Sequence, residues 1–110
     1  KFRDVKPQHE IFVEYRKKHT YSGIVNVGVY GIDNLIMFSD NDDSVAITYF
    51  YFGPNSYETL SIALFAHFAK DSRTILDVGA FTGLYSLVAA KANNSAKVHA
   101  FEPIELTAER

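Results

Sequence analysis

The second half of the chain, residues 54–110, has the apolar pattern of alternating helices and strands. Apolar residues recur at helical spacing over 54–70 and again on one face over 83–92, which predicts two helices. Short apolar runs at about 74–78 and 97–101 predict strands on either side of the second helix. A strand, a crossover helix and another strand in this order predict a parallel β-α-β unit.

Residues 1–53 follow a different pattern. Positions 1–20 are mostly polar and charged, which suits a helix or an ordered arm. Runs at 22–31, 35–38 and 45–52 are rich in β-branched and aromatic residues, and turn-forming Asp and Asn residues separate them. We therefore expect an α/β protein in which 1–53 form an arm and a small antiparallel β-rich region, while 54–110 begin a separate α/β domain.

Two segments between these regions allow more than one interpretation. Asn55 can cap the 54–70 helix while Glu58 reaches back in a capping box, although Glu58 could instead contact a ligand. The aromatic run at 49–52 is expected to pack in the core, the alternative being that it lines a substrate pocket.

Candidate binding residues follow each of the two predicted parallel strands. Asp77 ends the first strand, and Gly79, Ala80, Phe81, Thr82 and Gly83 form a turn that opens the next helix. Glycines permit a sharp turn and a close approach to a ligand, and a helix N-terminus favours a negative group. Glu102, after the second strand, carries two acceptor oxygens for the vicinal hydroxyls of a ribose. Helix capping by Asp77, simple packing by the glycines and a plain strand end at Glu102 are the structural alternatives.

The strings around these residues, D-x-G-A-x-x-G-x-Y-S from Asp77 and A-F-E-P around Glu102, resemble class I S-adenosylmethionine-dependent methyltransferases, and most closely the FkbM-type family. The resemblance covers about residues 57–110. It implies the first part of a Rossmann-like methyltransferase sheet, with the methionine carboxylate near Gly79–Gly83, its amine near Asp77 and the ribose on Glu102. Phe81 departs from the family, which usually has Asn there.

The resemblance also implies a reaction. It suggests an enzyme that transfers a methyl group from S-adenosylmethionine to a hydroxyl of a sugar or another small-molecule acceptor. We expect the chain to be the N-terminal portion of such an enzyme, inactive by itself, and no residue can be assigned as its catalytic base. A noncatalytic Rossmann-like interaction module and a nucleotide-dependent oxidoreductase are the alternatives. The G-x-G-x-x-G fingerprint of dinucleotide sites is absent, which counts against the oxidoreductase.

The composition of the chain limits the kinds of partner that we expect it to have. The 110 residues include 11 basic and 13 acidic side chains, so the charge balance does not indicate a nucleic-acid partner. The sequence contains no Cys, its four His residues lack metal-ligand spacing, and no apolar run reaches the length of a membrane helix. We therefore expect a cytoplasmic protein without a metal site.

Overall fold

The computed structural model describes residues 8–29 and 31–109, which form five helices and two separate two-stranded sheets. In chain order the elements are α1 (Gln8–Lys18), β1 (Gly23–Asn26), β2 (Ile36–Ser39), α2 (Ser44–Phe52), α3 (Thr59–Ala69), β3 (Thr74–Val78), α4 (Leu84–Ala92), β4 (Lys97–Phe101) and α5 (Glu105–Ala108). The α/β class is as expected, with an antiparallel hairpin preceding a parallel β-α-β unit.

The first sheet is a two-stranded hairpin and not the expected three-stranded meander. Strands β1 and β2 pair so that Ile24 lies opposite Phe38, and both of these side chains are exposed. Val25 and Met37 point to the other face, where they are buried. The predicted strand at 22–31 is therefore correct only over β1, because the chain is already reversing where Val29 and Ile32 form an isolated bridge.

The predicted third strand at 45–52 is wrong, because this segment is helix α2. Its start is fixed by Asp43, whose Oδ1 accepts a hydrogen bond of 2.6 Å from the backbone N–H of Ala46. The turn predicted at 40–43 thus leads from β2 into a helix and does not close a hairpin. Helix α2 packs on the hairpin and buries Val45, Ala46 and Tyr49, so tertiary packing overrides the strand preference of its β-branched and aromatic residues.

The aromatic run at the end of α2 divides between two environments. Only Tyr49 is buried in the core, as we expected for the whole run. Phe50 stacks on Tyr21 with ring centroids 3.8 Å apart, and Tyr51 makes an edge contact with Phe12 of α1. These ring contacts attach α1 and the segment before β1 to the outer side of α2.

Helix α3 begins later than predicted, and the expected capping box is wrong. The helix starts at Thr59, and the side chain of Glu58 makes no capping hydrogen bond. The apolar stripe that predicted this helix faces outward at Leu60, which is 86% exposed, whereas Ile62 and Ala66 face the core. Ile62 belongs to the same hydrophobic cluster as residues of the hairpin, so both halves of the chain contribute to one core.

The β-α-β unit confirms the predicted strands and crossover helix. Strand β3 pairs in parallel with β4, from Thr74 opposite Lys97 to Val78 opposite Phe101, and α4 connects them. Leu84 and Val88 of α4 are buried in the cluster that they share with the hairpin, while Ala89 packs with Ile75 of β3. The face of α4 expected to pack on the sheet, which also included Leu87, is therefore only partly correct, because Leu87 is 38% exposed. The described residues form only this one parallel unit, and they do not form the three-layer sandwich of a complete Rossmann-like methyltransferase.

Asn93 ties the end of α4 to the end of α3. Its Nδ2 lies 3.0–3.1 Å from the carbonyl oxygens of Ala69, Lys70 and Ser72, and its Oδ1 accepts from the backbone N–H of Ser95. One side chain therefore bonds carbonyl groups at the end of α3 and in the loop that follows it. Within residues 8–29 and 31–109, no helix is long and apolar enough to cross a membrane.

Candidate functional site

The turn after β3 has the left-handed backbone that its glycines predict. Gly79 and Gly83 have φ angles of 80° and 81°, and Phe81 between them has a φ of 50°. The backbone N–H groups of Gly79 and Ala80 both donate to the carbonyl oxygen of Phe101, at 2.8 and 3.1 Å. The turn is thereby fixed to the end of β4, at the edge of the sheet where both parallel strands finish.

Glu102 is bound to this turn through its side chain. Its Oε2 accepts a hydrogen bond of 2.7 Å from the backbone N–H of Phe81, and its Oε1 accepts one of 2.9 Å from the N–H of Ile104. The carboxylate thus supports the left-handed residue of the turn. Because an ionised carboxylate has about four acceptor positions, two remain for a ligand.

The turn and Glu102 line one small cleft of about 200 Å³. The predicted binding residues that contribute to it are Ala80, Phe81, Thr82, Gly83 and Glu102. The structure therefore brings five of the seven predicted site residues to a single opening, and Gly79 adjoins it through the turn. Their assignment to a cofactor stays a prediction.

Asp77 does not line this cleft. Its Oδ2 accepts a hydrogen bond of 2.7 Å from the hydroxyl of Ser86, and the pair is partly buried between β3 and α4. Ser86 belongs to the first turn of α4, so Asp77 helps to fix the helix against the strand. This contact is structural, but it is not the helix cap considered as an alternative for Asp77, because the donor is a side-chain hydroxyl and α4 has no side-chain cap.

The turn also provides hydrogen-bonding groups without partners. The Oγ1 of Thr82 is buried and has no hydrogen-bond partner among the described residues. Also among the described residues, the backbone N–H groups of Leu84, Tyr85 and Ser86 donate to no backbone or side-chain acceptor. This is expected for the first turn of a helix. These groups present positive partial charge beside the glycine turn.

A second cleft, of about 760 Å³, lies on the other side of Thr82 and Gly83. Its walls come from β2, α4 and β4, and they are mostly apolar, with Asp40 and Asp42 at the β2 end. Phe38 and Leu87 are among the apolar residues, 63% and 38% exposed. The glycine turn therefore lies between a small cleft beside Glu102 and a larger apolar cleft.

A contact that the sequence did not predict joins α3 to α4. The hydroxyl of Tyr85 donates a hydrogen bond of 2.6 Å to Oε2 of Glu58. Burial, and then the bond to Glu58 and its negative charge, raise the pKa of Tyr85 to about 12. The only sequence signal was the position of Tyr85, two residues after Gly83, because its partner lies 27 residues away in the chain.

No protein-family model matches this chain, and no curated protein or solved structure is significantly similar to it. Among the described residues, no group of three or more Asp, Glu or His side chains is arranged to hold a metal ion.

Proposed function

We propose that this chain forms the cofactor-binding unit of an S-adenosylmethionine-dependent methyltransferase. The observation that carries the proposal is the 2.7 Å bond between the Phe81 N–H and Glu102. This bond puts an acidic side chain with spare acceptor capacity next to a glycine turn at a helix N-terminus. A carboxylate beside a glycine turn suits a ligand that has a ribose at one end and an anionic group at the other.

The residues present fit such a cofactor. A Cβ atom built on Gly79 or Gly83 would meet no heavy atom within 4 Å, so open space adjoins the turn at both glycines. The Oγ1 of Thr82 and the first N–H groups of α4, which have no partners among the described residues, supply donors for a carboxylate. In this proposal the Gly79–Gly83 turn binds the methionine carboxylate and Glu102 binds the ribose hydroxyls.

The chemistry of such a site is mainly positioning. When bound, S-adenosylmethionine supplies an already activated methyl group, so the protein has to bind and orient the donor and the acceptor. The chain's own contribution is the rigid turn, held by Phe101 and Glu102. The resemblance to FkbM-type enzymes supports an O-methyl transfer to a hydroxylated small molecule. No described residue is assigned as the base.

A noncatalytic module is the second candidate, and one observation favours it. Both oxygens of Glu102 already accept backbone hydrogen bonds, so the residue has a complete structural role without a ligand. In that case Glu102 would stabilise the turn as part of an interaction domain.

Calorimetry of the full-length protein with S-adenosylhomocysteine separates the two candidates, with NADH as the comparison ligand. The methyltransferase proposal expects saturable binding of S-adenosylhomocysteine and none of NADH. Binding of NADH alone would support the oxidoreductase alternative, and binding of neither ligand would overturn the proposal in favour of the noncatalytic module.

A further inference from the structure

Glu58 occupies an unusual backbone position in front of α3. Its φ and ψ angles of 42° and 37° lie in the left-handed region, which residues with a side chain rarely adopt. Although it stands at the N-cap of α3, its side chain caps nothing. The side chain instead reaches α4, where it accepts the hydrogen bond from Tyr85.

The contact with Tyr85 leaves one carboxylate oxygen of Glu58 available. Tyr85 occupies only Oε2, and within the described residues Oε1 of Glu58 has no hydrogen-bond partner and no ion pair. Since the pKa of Tyr85 is raised to about 12, its hydroxyl stays protonated near neutral pH and continues to donate. The phenol therefore fixes the direction of a carboxylate whose second oxygen is open to a cation.

The geometry of helix α4 indicates where the Glu58 carboxylate lies relative to the glycine turn. Tyr85 lies in the first turn of α4, and helical side chains tilt toward the helix N-terminus. The Glu58 carboxylate is therefore held at the end of α4 that begins at Gly83. A negative side chain and a set of N–H groups without acceptors among the described residues lie at one helix end, and together they suit a ligand that carries an ammonium beside a carboxylate.

We infer that Glu58, positioned by Tyr85, binds the α-ammonium group of the cofactor's amino-acid part. This inference rests on the proposed function and changes one of its expected contacts, because the resemblance implied Asp77 for the amine. Asp77 is already bonded to Ser86 between β3 and α4. Glu58 and the turn of Gly79–Gly83 would together recognise the zwitterion.

The test compares two ligands that differ only at this end. S-Adenosylhomocysteine has the amino-acid part, whereas 5′-methylthioadenosine keeps the adenosine and thioether without it. Glu58→Gln is the test variant, since its side-chain oxygen can still accept from Tyr85 while the charge is lost. Asp71→Asn, an exposed carboxylate just beyond the opposite end of α3, is the matched control.

We expect Glu58→Gln to weaken S-adenosylhomocysteine binding about tenfold or more, the range for losing a charged hydrogen-bond partner. Binding of 5′-methylthioadenosine should stay unchanged, and Asp71→Asn should alter neither affinity. Tyr85→Phe should give a smaller loss of the same selectivity, because the carboxylate remains but is no longer held. Thermal melting of each variant reports whether the fold is intact.

The outcomes separate this inference from the function on which it rests. If the unaltered protein binds both ligands and Glu58→Gln weakens both equally, or neither, the ammonium contact is wrong while the cofactor proposal stands. If Asp77→Asn produces the ligand-selective loss in place of Glu58→Gln, the amine belongs to Asp77. If the unaltered protein binds neither ligand, the proposed function fails, and the inference with it.

Discussion

The backbone N–H of Phe81 donates a 2.7 Å hydrogen bond to Oε2 of Glu102, which joins the turn after β3 to the residue after β4. Phe81 is in the left-handed region, with a φ of 50°, so the carboxylate stabilises a conformation that the residue would otherwise leave. Glu102 is thus part of the turn's structure as well as the proposed ribose contact.

Replacing Glu102 should therefore affect both stability and binding. Glu102→Ala removes two backbone contacts, and we expect a loss of about 1–3 kcal/mol in unfolding free energy together with a similar loss in cofactor binding. Glu102→Gln should lose less of each, because one side-chain oxygen still accepts. Urea unfolding and calorimetry on the same preparations measure the two effects, and equal cofactor affinity in all three proteins would exclude Glu102 as the ribose ligand.

Gly79 and Gly31 form a matched pair for testing the turn. Both have a φ of 80°, and neither has a heavy atom within 4 Å of a built Cβ. Gly79→Val and Gly31→Val should therefore each cost about 1–3 kcal/mol of stability from backbone strain. Only Gly79→Val should abolish cofactor binding, with helix content by circular dichroism largely preserved. Equal loss of binding in both variants would show that global destabilisation, not the turn, is responsible.

The pKa of Tyr85 gives a prediction for alkaline stability. Burial, followed by the contact with Glu58, raises this pKa from 10.0 to about 12. The folded protein therefore keeps a proton that the unfolded chain loses, so the stabilisation is complete below pH 10 and disappears as the pH rises toward 12. Tyr85→Phe should flatten this part of the stability curve. An unchanged alkaline slope in the variant would argue against a raised pKa at Tyr85.

Asn93 should be far more sensitive to substitution than its neighbour Asn94. Asn93→Asp replaces the donor that faces three carbonyl oxygens with a charged acceptor, and we expect a loss of about 2–4 kcal/mol in unfolding free energy. Asn94 is exposed, and Asn94→Asp should change stability by no more than about 0.5 kcal/mol. Thermal or urea denaturation of the two variants gives the comparison directly, and similar losses would contradict the assigned role of Asn93.

The β-α-β unit could be predicted from the sequence because its signals are local. Two apolar runs, the glycines between them and one helical face each act over a few residues, and the structure places β3, α4 and β4 accordingly. Segment 45–52 could not be predicted in this way. Its β-branched and aromatic residues suit a strand, and it becomes α2 through the cap at Asp43 and packing on the hairpin.

In the candidate site, too, some contacts could be predicted from the sequence and others could not. Gly79, Gly83 and Glu102 meet because strand ends in a parallel pair lie at one edge, which follows from the predicted topology. The contact between Glu58 and Tyr85 depends on how α3 sits against α4 and on the left-handed backbone at Glu58. Neither feature has a local signature, so the sequence indicated a capping box at Glu58 instead.

The two ends of α4 are held very differently. At its C-terminal end, Asn93 is bonded to the last carbonyls of α3, whereas the N-terminal end follows two glycines and leaves the amides of Leu84, Tyr85 and Ser86 without partners in the described chain. Amide hydrogen exchange should therefore be slow around Asn93 and fast at the first turn. A ligand bound at the turn would slow exchange at that end alone, so the helix itself would report occupancy of the site.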